Sequence, residues 1–193
     1  MNIDTKTSLF KELVKMNGKK YQLKIFITEL YELMTEVMKT SINDSKKETI
    51  YQEIADCVIC VEQFHIYGLL DTLNDILTYK DIFSTKYISH KTLDNVVCEL
   101  NNDFIQVITF LNNYQEIIIH SVDDMVINYK ISGNDHQVIM EARDTFGNLF
   151  LNFMRNIKEL LIIKGNDSLK SVNLALDYKL ARLQCRVEDK KHL

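Results

Sequence analysis

Residues 21–38 read YQLKIFITELYELMTEVM, and this stretch decides the fold. Leu23, Phe26, Ile27, Leu30, Leu33, Met34, Val37 and Met38 recur with the period of about 3.6 residues that puts side chains on one face of a helix. One side of this helix must therefore be buried against something else. Upstream, residues 6–17 form a shorter amphipathic pattern through Leu9, Phe10, Leu13 and Val14, and Asn17-Gly18 is a natural stop. Downstream, TSINDSKK at 40–47 is polar and turn-like. A third helix is expected from Glu48 to Tyr67, where Gly68 interrupts it. The second and third helices, joined by so short a turn, form an antiparallel hairpin.

After a less regular region through Ser84–Ser89, helical patterns run from Lys91 to Tyr114, Gln137 to Ile163 and Leu169 to Glu188. Turns are expected at Ser132-Gly133-Asn134-Asp135 and at Gly165-Asn166-Asp167. In residues 115–131, QEIIIHSVDDMVINYKI, β-branched residues are dense and pattern alone does not separate helix from strand; helix is the expectation. The chain has 193 residues with no proline and five glycines, which removes the usual punctuation of loop-rich and all-β folds. The reading is one all-α domain over residues 1–193, an antiparallel helical bundle with a half at 6–68 and a C-terminal helix at 169–188.

A net charge of −4, with lysines scattered among acids, argues against a general nucleic-acid binder, because neutralising phosphates needs concentrated Lys and Arg. The start MNIDTKTSLFKELVK has no continuous apolar core of the kind a secretory signal needs, and no stretch is long and apolar enough to span a bilayer. Four cysteines do not make a disulfide framework in a chain of this size, so a reducing compartment, the cytoplasm, is expected. Cys57-Val58-Ile59-Cys60 is formally a CxxC but lies in an apolar helical run, where core packing accounts for it. The five histidines show no metal-ligand spacing, and no GxSxG, P-loop or Gly-rich dinucleotide fingerprint is present. The abundance of Ile, Asn and Lys is the coding bias of an AT-rich genome, such as that of a low-GC bacterium or a phage.

Chemistry enters with the acids. Glu29 and Glu32 are three apart on the second helix and emerge on nearly the same face, and Glu53 and Asp56 repeat the arrangement on the third. Either pair alone reads as a solvated helix face. Closing the hairpin, however, brings four carboxylates together, which is unfavourable unless they bind a cation or take up protons. Magnesium suits such a cluster, as a hard ion that takes oxygen ligands and retains waters and substrate phosphates; manganese is a substitute.

Thr28-Glu29-Leu30-Tyr31-Glu32-Leu33, followed by Glu53-Ile54-Ala55-Asp56 and Cys57-Val58-Ile59-Cys60-Val61-Glu62-Gln63-Phe64, resembles the MazG-like nucleoside triphosphate pyrophosphohydrolases. The motif of that family is two adjacent glutamates, a third three positions on, and a later ExxD. Tyr21-Gln22-Leu23 and Tyr178-Lys179-Leu180-Ala181-Arg182-Leu183 are similar to its entry helix and its ending. The resemblance implies an all-α fold, a divalent metal, and hydrolysis of a nucleoside triphosphate between its α and β phosphates. It puts Glu29, Glu32, Glu53 and Asp56 on the metal-binding positions, with Glu53 and Glu29 the candidate catalytic carboxylates. It also implies a homo-oligomer. Thr28 departs from the pattern, since the first of the adjacent glutamates stands there in the family, and this bears on turnover more than on metal binding.

A triphosphate needs cations beyond the metal. Lys46 and Lys47 in the turn, with Lys179 and Arg182 near the end, are the candidates, and Gln22 could hydrogen-bond a base. Between residues 91 and 163, Cys98-Glu99-Leu100-Asn101-Asn102-Asp103-Phe104 echoes the first motif and Met140-Glu141-Ala142-Arg143-Asp144 the second. This suggests a degenerate internal copy that would make the chain a single-chain pseudo-dimer. Two alternatives stay open: an all-α hydrolase of the dUTPase-like group, and a non-catalytic nucleotide-binding or interaction protein of the same fold.

Overall fold

The computed structural model describes residues 3–43, 47–66, 79–84, 88–115, 133–165 and 169–191. Among them every regular element is an α-helix: α1 (Ile3–Asn17), α2 (Lys19–Ser41), α3 (Lys47–Ile66), α4 (Tyr79–Ser84), α5 (Leu93–Asn113), α6 (Gly133–Ile163) and α7 (Leu169–Lys191). No helix of the described residues is long and apolar enough to cross a membrane.

The junctions follow local chemistry. Gly18 separates α1 from α2 at φ 80°, donating its N–H to the Val14 carbonyl at 2.7 Å while its own carbonyl accepts from Gln22 N at 3.1 Å. Only glycine adopts that backbone freely. The first turn of α5 is capped by Thr92, whose hydroxyl oxygen accepts from Asn95 N at 3.3 Å. After α6 the chain turns through Gly165 at φ 65°. Lys164 there donates its ammonium to the Ser41 carbonyl at 2.6 Å and to Asn43 Oδ1 at 3.0 Å, tying the end of α6 to the end of α2.

Two antiparallel hairpins make the body. In the first, Phe26 meets Phe64 with ring centroids 5.8 Å apart, and Glu29 on α2 lies close to Glu53 and Asp56 on α3. Each step up α2 is matched by a step down α3. In the second, Phe110 meets Phe146 at 5.9 Å and Phe104 meets Phe153 at 6.2 Å, and Asn156 Nδ2 donates to Asp103 Oδ2 at 2.8 Å. The hairpins pack on one another through α2. Phe26 sits edge-on to Phe146 at 6.2 Å and Phe150 at 5.9 Å, and Tyr31 is edge-on to Phe104 at 5.1 Å. Helix α7 lies along α3, burying Val172, Leu176, Leu180 and Val187, and α1 covers the same side with Leu9, Phe10 and Leu13. The short α4 packs on α6, where the buried Lys158 donates to the Ile82 carbonyl at 2.7 Å.

The helices run close to their expected bounds, with two differences. Gly133, Asn134 and Asp135 belong to the first turn of α6 and not to a turn. Small polar and acidic residues favour both settings, because an acid in the first helical turn meets the positive end of the helix dipole; Ser132 lies outside the described residues. Helix α4 was not expected, since six residues show no helical period. Residues 116–131 of the ambiguous β-branched stretch, like Tyr67 and Gly68 at the expected stop of α3, lie outside the described residues.

Candidate metal centre and adjoining cavity

Glu29 from α2 and Glu53 and Asp56 from α3 each offer a carboxylate oxygen, and these atoms all lie within 4.8 Å of one another. The three residues are half-buried. Antiparallel pairing of the hairpin brings them together, and the apolar partners on the same helices, Leu30, Leu33, Ile54 and Ala55, are buried behind them. Glu53 Oε2 is inaccessible to water and has no hydrogen-bond partner among the described residues. Burying a carboxylate oxygen without a partner is unfavourable, and the same oxygen is well placed to satisfy a cation.

The titration behaviour follows. Burial, with Asp56, Glu32 and Glu53 close by, pushes the Glu29 carboxyl up from 4.5 to about 7. Burial raises Glu53 as well, opposed by Lys179 and reinforced by Asp56, Glu32 and Glu36. Asp56 is raised by burial although its carboxylate accepts a hydrogen bond from the Lys179 ammonium. Desolvation therefore outweighs the ion pair at Asp56, and the cluster carries more negative charge than its surroundings stabilise.

Of the four expected ligands, Glu32 stands apart. It is exposed one turn along α2 and outside the close group, although its charge is felt by both Glu29 and Glu53. Thr28 is exposed, its hydroxyl donating to the Lys24 carbonyl at 3.1 Å within its own helix. Lys179 reaches the centre directly. Arg182 is exposed, with its guanidinium 5.6 Å from the Tyr178 ring centroid, and its charge still acts on Asp56. Lys46 and the side chain of Lys47 lie outside the described residues. Cys57 and Cys60 are buried behind the carboxylates, where desolvation raises both thiols, as core residues and not as part of the metal group.

A cavity of about 580 Å³ opens beside the carboxylates, between α1, α2, α3 and α7. Glu29, Asp56, Arg186 and Asp189 are its charged lining, while Leu13, Ile25 and Ile59 contribute apolar surface. Gln22 borders it, buried, with Nε2 donating to the Leu13 carbonyl at 3.5 Å. Three contributors escaped the sequence reading: Glu36, whose charge acts on Glu53, Arg186, whose charge acts on Asp56, and Gln63, which lines the cavity. The first two had a signal in spacing. Glu36 continues Glu29 and Glu32 at seven residues, and Arg186 continues Lys179 and Arg182 in the same way, so each completes a stripe on one helix face.

In the second hairpin the acids do not converge. Asp103 pairs with Asn156, and Lys91 donates to Glu99 at 2.5 Å and to Asn156 at 3.2 Å. Asp144 is twelve residues before Asn156 on α6, on the order of 18 Å along the helix at 1.5 Å per residue. The two acidic echoes thus sit at opposite ends of the hairpin. Among the described residues the metal-type group is Glu29, Glu53 and Asp56. Comparison with protein-family models, curated proteins and solved structures gives no match.

Proposed function

We propose that this chain is a magnesium-dependent nucleoside triphosphate pyrophosphohydrolase of the MazG-like kind, yielding a nucleoside monophosphate and pyrophosphate. The observation that carries this reading is the convergence of Glu29, Glu53 and Asp56 from two helices beside a cavity of nucleotide size. The donor set fits the ion. It is all oxygen, it holds excess negative charge, and one of its members, Glu53, has a carboxylate oxygen without a partner among the described residues.

When bound, magnesium, or manganese in its place, neutralises phosphate oxygens and promotes in-line attack by water. Glu29, Glu53 and Asp56 would hold the ion, with Glu32 adding charge from one turn away, and Glu29 or Glu53 would accept the proton of the attacking water. Lys179, Arg182 and Arg186 on α7 supply the positive charge that a triphosphate requires. Lys179 donates to Asp56 and so stands where it would meet the phosphates of a nucleotide held at the ion.

The test is pyrophosphate release from each common ribo- and deoxyribonucleoside triphosphate with and without magnesium. Release is expected to need the metal and to vanish in Glu53→Gln while the helical circular dichroism persists. Unchanged turnover in that variant overturns the site. The exposed Thr28, tied into its own helix, favours one second reading, a protein that binds nucleotides without cleaving them. Metal-dependent nucleotide binding with no product from any substrate identifies it.

The α5/α6 hairpin covers the apolar face of α2, which supports the further reading of a pseudo-dimer whose second copy keeps acids that do not converge. Four free cysteines, two of them exposed, support a reducing compartment, and we place the chain in the cytoplasm.

A further inference from the structure

We propose that Gln22 and Gln63 form a base-recognition pair that selects nucleotides whose base carries an exocyclic amino group. The inference takes its ligand class, a nucleotide, from the pyrophosphohydrolase reading; the pair itself is read from the cavity. Gln63 is 4% exposed and lines the cavity, and its Oε1 is buried with no hydrogen-bond partner among the described residues. A buried amide oxygen without a donor is costly, so a native protein that keeps one calls for an explanation. A ligand that brings an N–H donor supplies one.

The register of the hairpin strengthens the case. Gln22 precedes Glu29 by seven residues on α2, and Gln63 follows Asp56 by seven on α3. Seven residues are two helical turns, about 10.5 Å, and the helices are antiparallel, so both carboxamides stand at one level on the same side of the carboxylates. A nucleoside spans such a distance, with its phosphates at the acids and its base at the glutamines. Both side chains are neutral, as recognition of an uncharged base edge requires, and Tyr21 at the cavity offers an exposed ring for stacking.

The polarity of the pair names the base. Gln22 spends one Nε2 hydrogen on the Leu13 carbonyl and keeps its oxygen as an acceptor, and the Gln63 oxygen is buried with no donor among the described residues, so the unmet demand at this end of the cavity is for ligand N–H groups. The two amide oxygens are met by a group with two hydrogens, the exocyclic amine of cytosine, adenine or guanine. The oxo group of uracil or hypoxanthine would face them with lone pairs, and a site built to hydrogen-bond a substrate group rejects the analogue that lacks it.

The experiment measures calorimetric binding of CMP against UMP and AMP against IMP to the whole chain in magnesium. The wild type is compared with Gln63→Leu and Gln22→Leu, and pyrophosphate release is measured from the four corresponding triphosphates. The amino member of each pair is expected to bind at least ~10-fold more tightly, and each substitution to bring the ratio towards one. Gln63→Leu removes an unpaired polar atom at similar volume, so its thermal midpoint should not fall, which separates lost recognition from lost folding. Equal binding of amino and oxo members to the wild type, or a preference that survives in both variants, overturns the inference. Equal release from all four triphosphates overturns it while leaving the pyrophosphohydrolase reading intact. Amino-selective binding with no release upholds the pair and overturns the activity.

Discussion

Glu29 concentrates the conflict that the site contains: three carboxylates share one place, and its carboxyl titrates at about 7 where 4.5 is ordinary. Between those values the folded chain binds more protons than the unfolded one, so stability falls as pH rises. The contribution is fully present below pH 4.5 and lost as the pH passes about 7. Glu53 and Asp56 are raised as well and act in the same direction. In a chelator, the melting temperature should therefore decline across this window. Magnesium should restore it most at the upper end, where the carboxylates are charged and free to bind, and Glu29→Gln should flatten the slope. A melting temperature that climbs with pH in chelator would contradict the assignment of these groups. At this scale the sequence revealed the two acid pairs but not the standing of each member. Glu32 has the same spacing as its neighbours, and only the rotation of α2 against α3 turns it outward.

Elements were legible wherever apolar spacing extended over several turns. The patterns in α2 and α3, with a polar turn between them, announced a hairpin, and Phe26, Leu30, Leu33, Ile54 and Val58 are buried as that pattern requires. Helix α4 was illegible because it is held by a tertiary contact, the Lys158 ammonium on the Ile82 carbonyl, and not by a period of its own. Arg186 and Gln63 were missed for a related reason. Their roles depend on which face of α7 meets α3 and on the level at which α3 meets α2, and neither is written in one helix alone. The Asn17-Gly18 stop, by contrast, is local. Its glycine stands at φ 80° with nothing within 4 Å of an added Cβ, so Gly18→Ala meets backbone strain without a clash. The expected loss is on the order of 1–3 kcal/mol, seen in urea as a lower midpoint with an unchanged slope and unaltered magnesium binding. No change in midpoint would mean that α1 and α2 can meet through another backbone conformation.

At the scale of the whole molecule, the question is what the second hairpin contributes. Its motif echoes were visible in the sequence, but register was not, and antiparallel pairing of Phe104 with Phe153 and Phe110 with Phe146 carries Glu99 and Asp144 to opposite ends. The Lys91 ammonium already pairs with Glu99, and Asp103 is engaged by Asn156, so each acid at that end has a partner within the chain. Asp144 is exposed at the other end, with no metal-type group around it among the described residues. What the hairpin does provide is apolar surface: Phe146, Phe150 and Phe104 cover the face of α2 opposite the carboxylates, holding Phe26 and Tyr31 and with them the helix that presents Glu29. The two halves should therefore respond differently to loss of charge. In a calorimetric titration with magnesium or manganese, Glu53→Gln should abolish binding, whereas Asp144→Asn and Glu99→Gln, singly or together, should leave both affinity and stoichiometry as in the wild type. Binding that survives Glu53→Gln but drops in Asp144→Asn would place a metal on the second hairpin and reverse the division of labour between the halves.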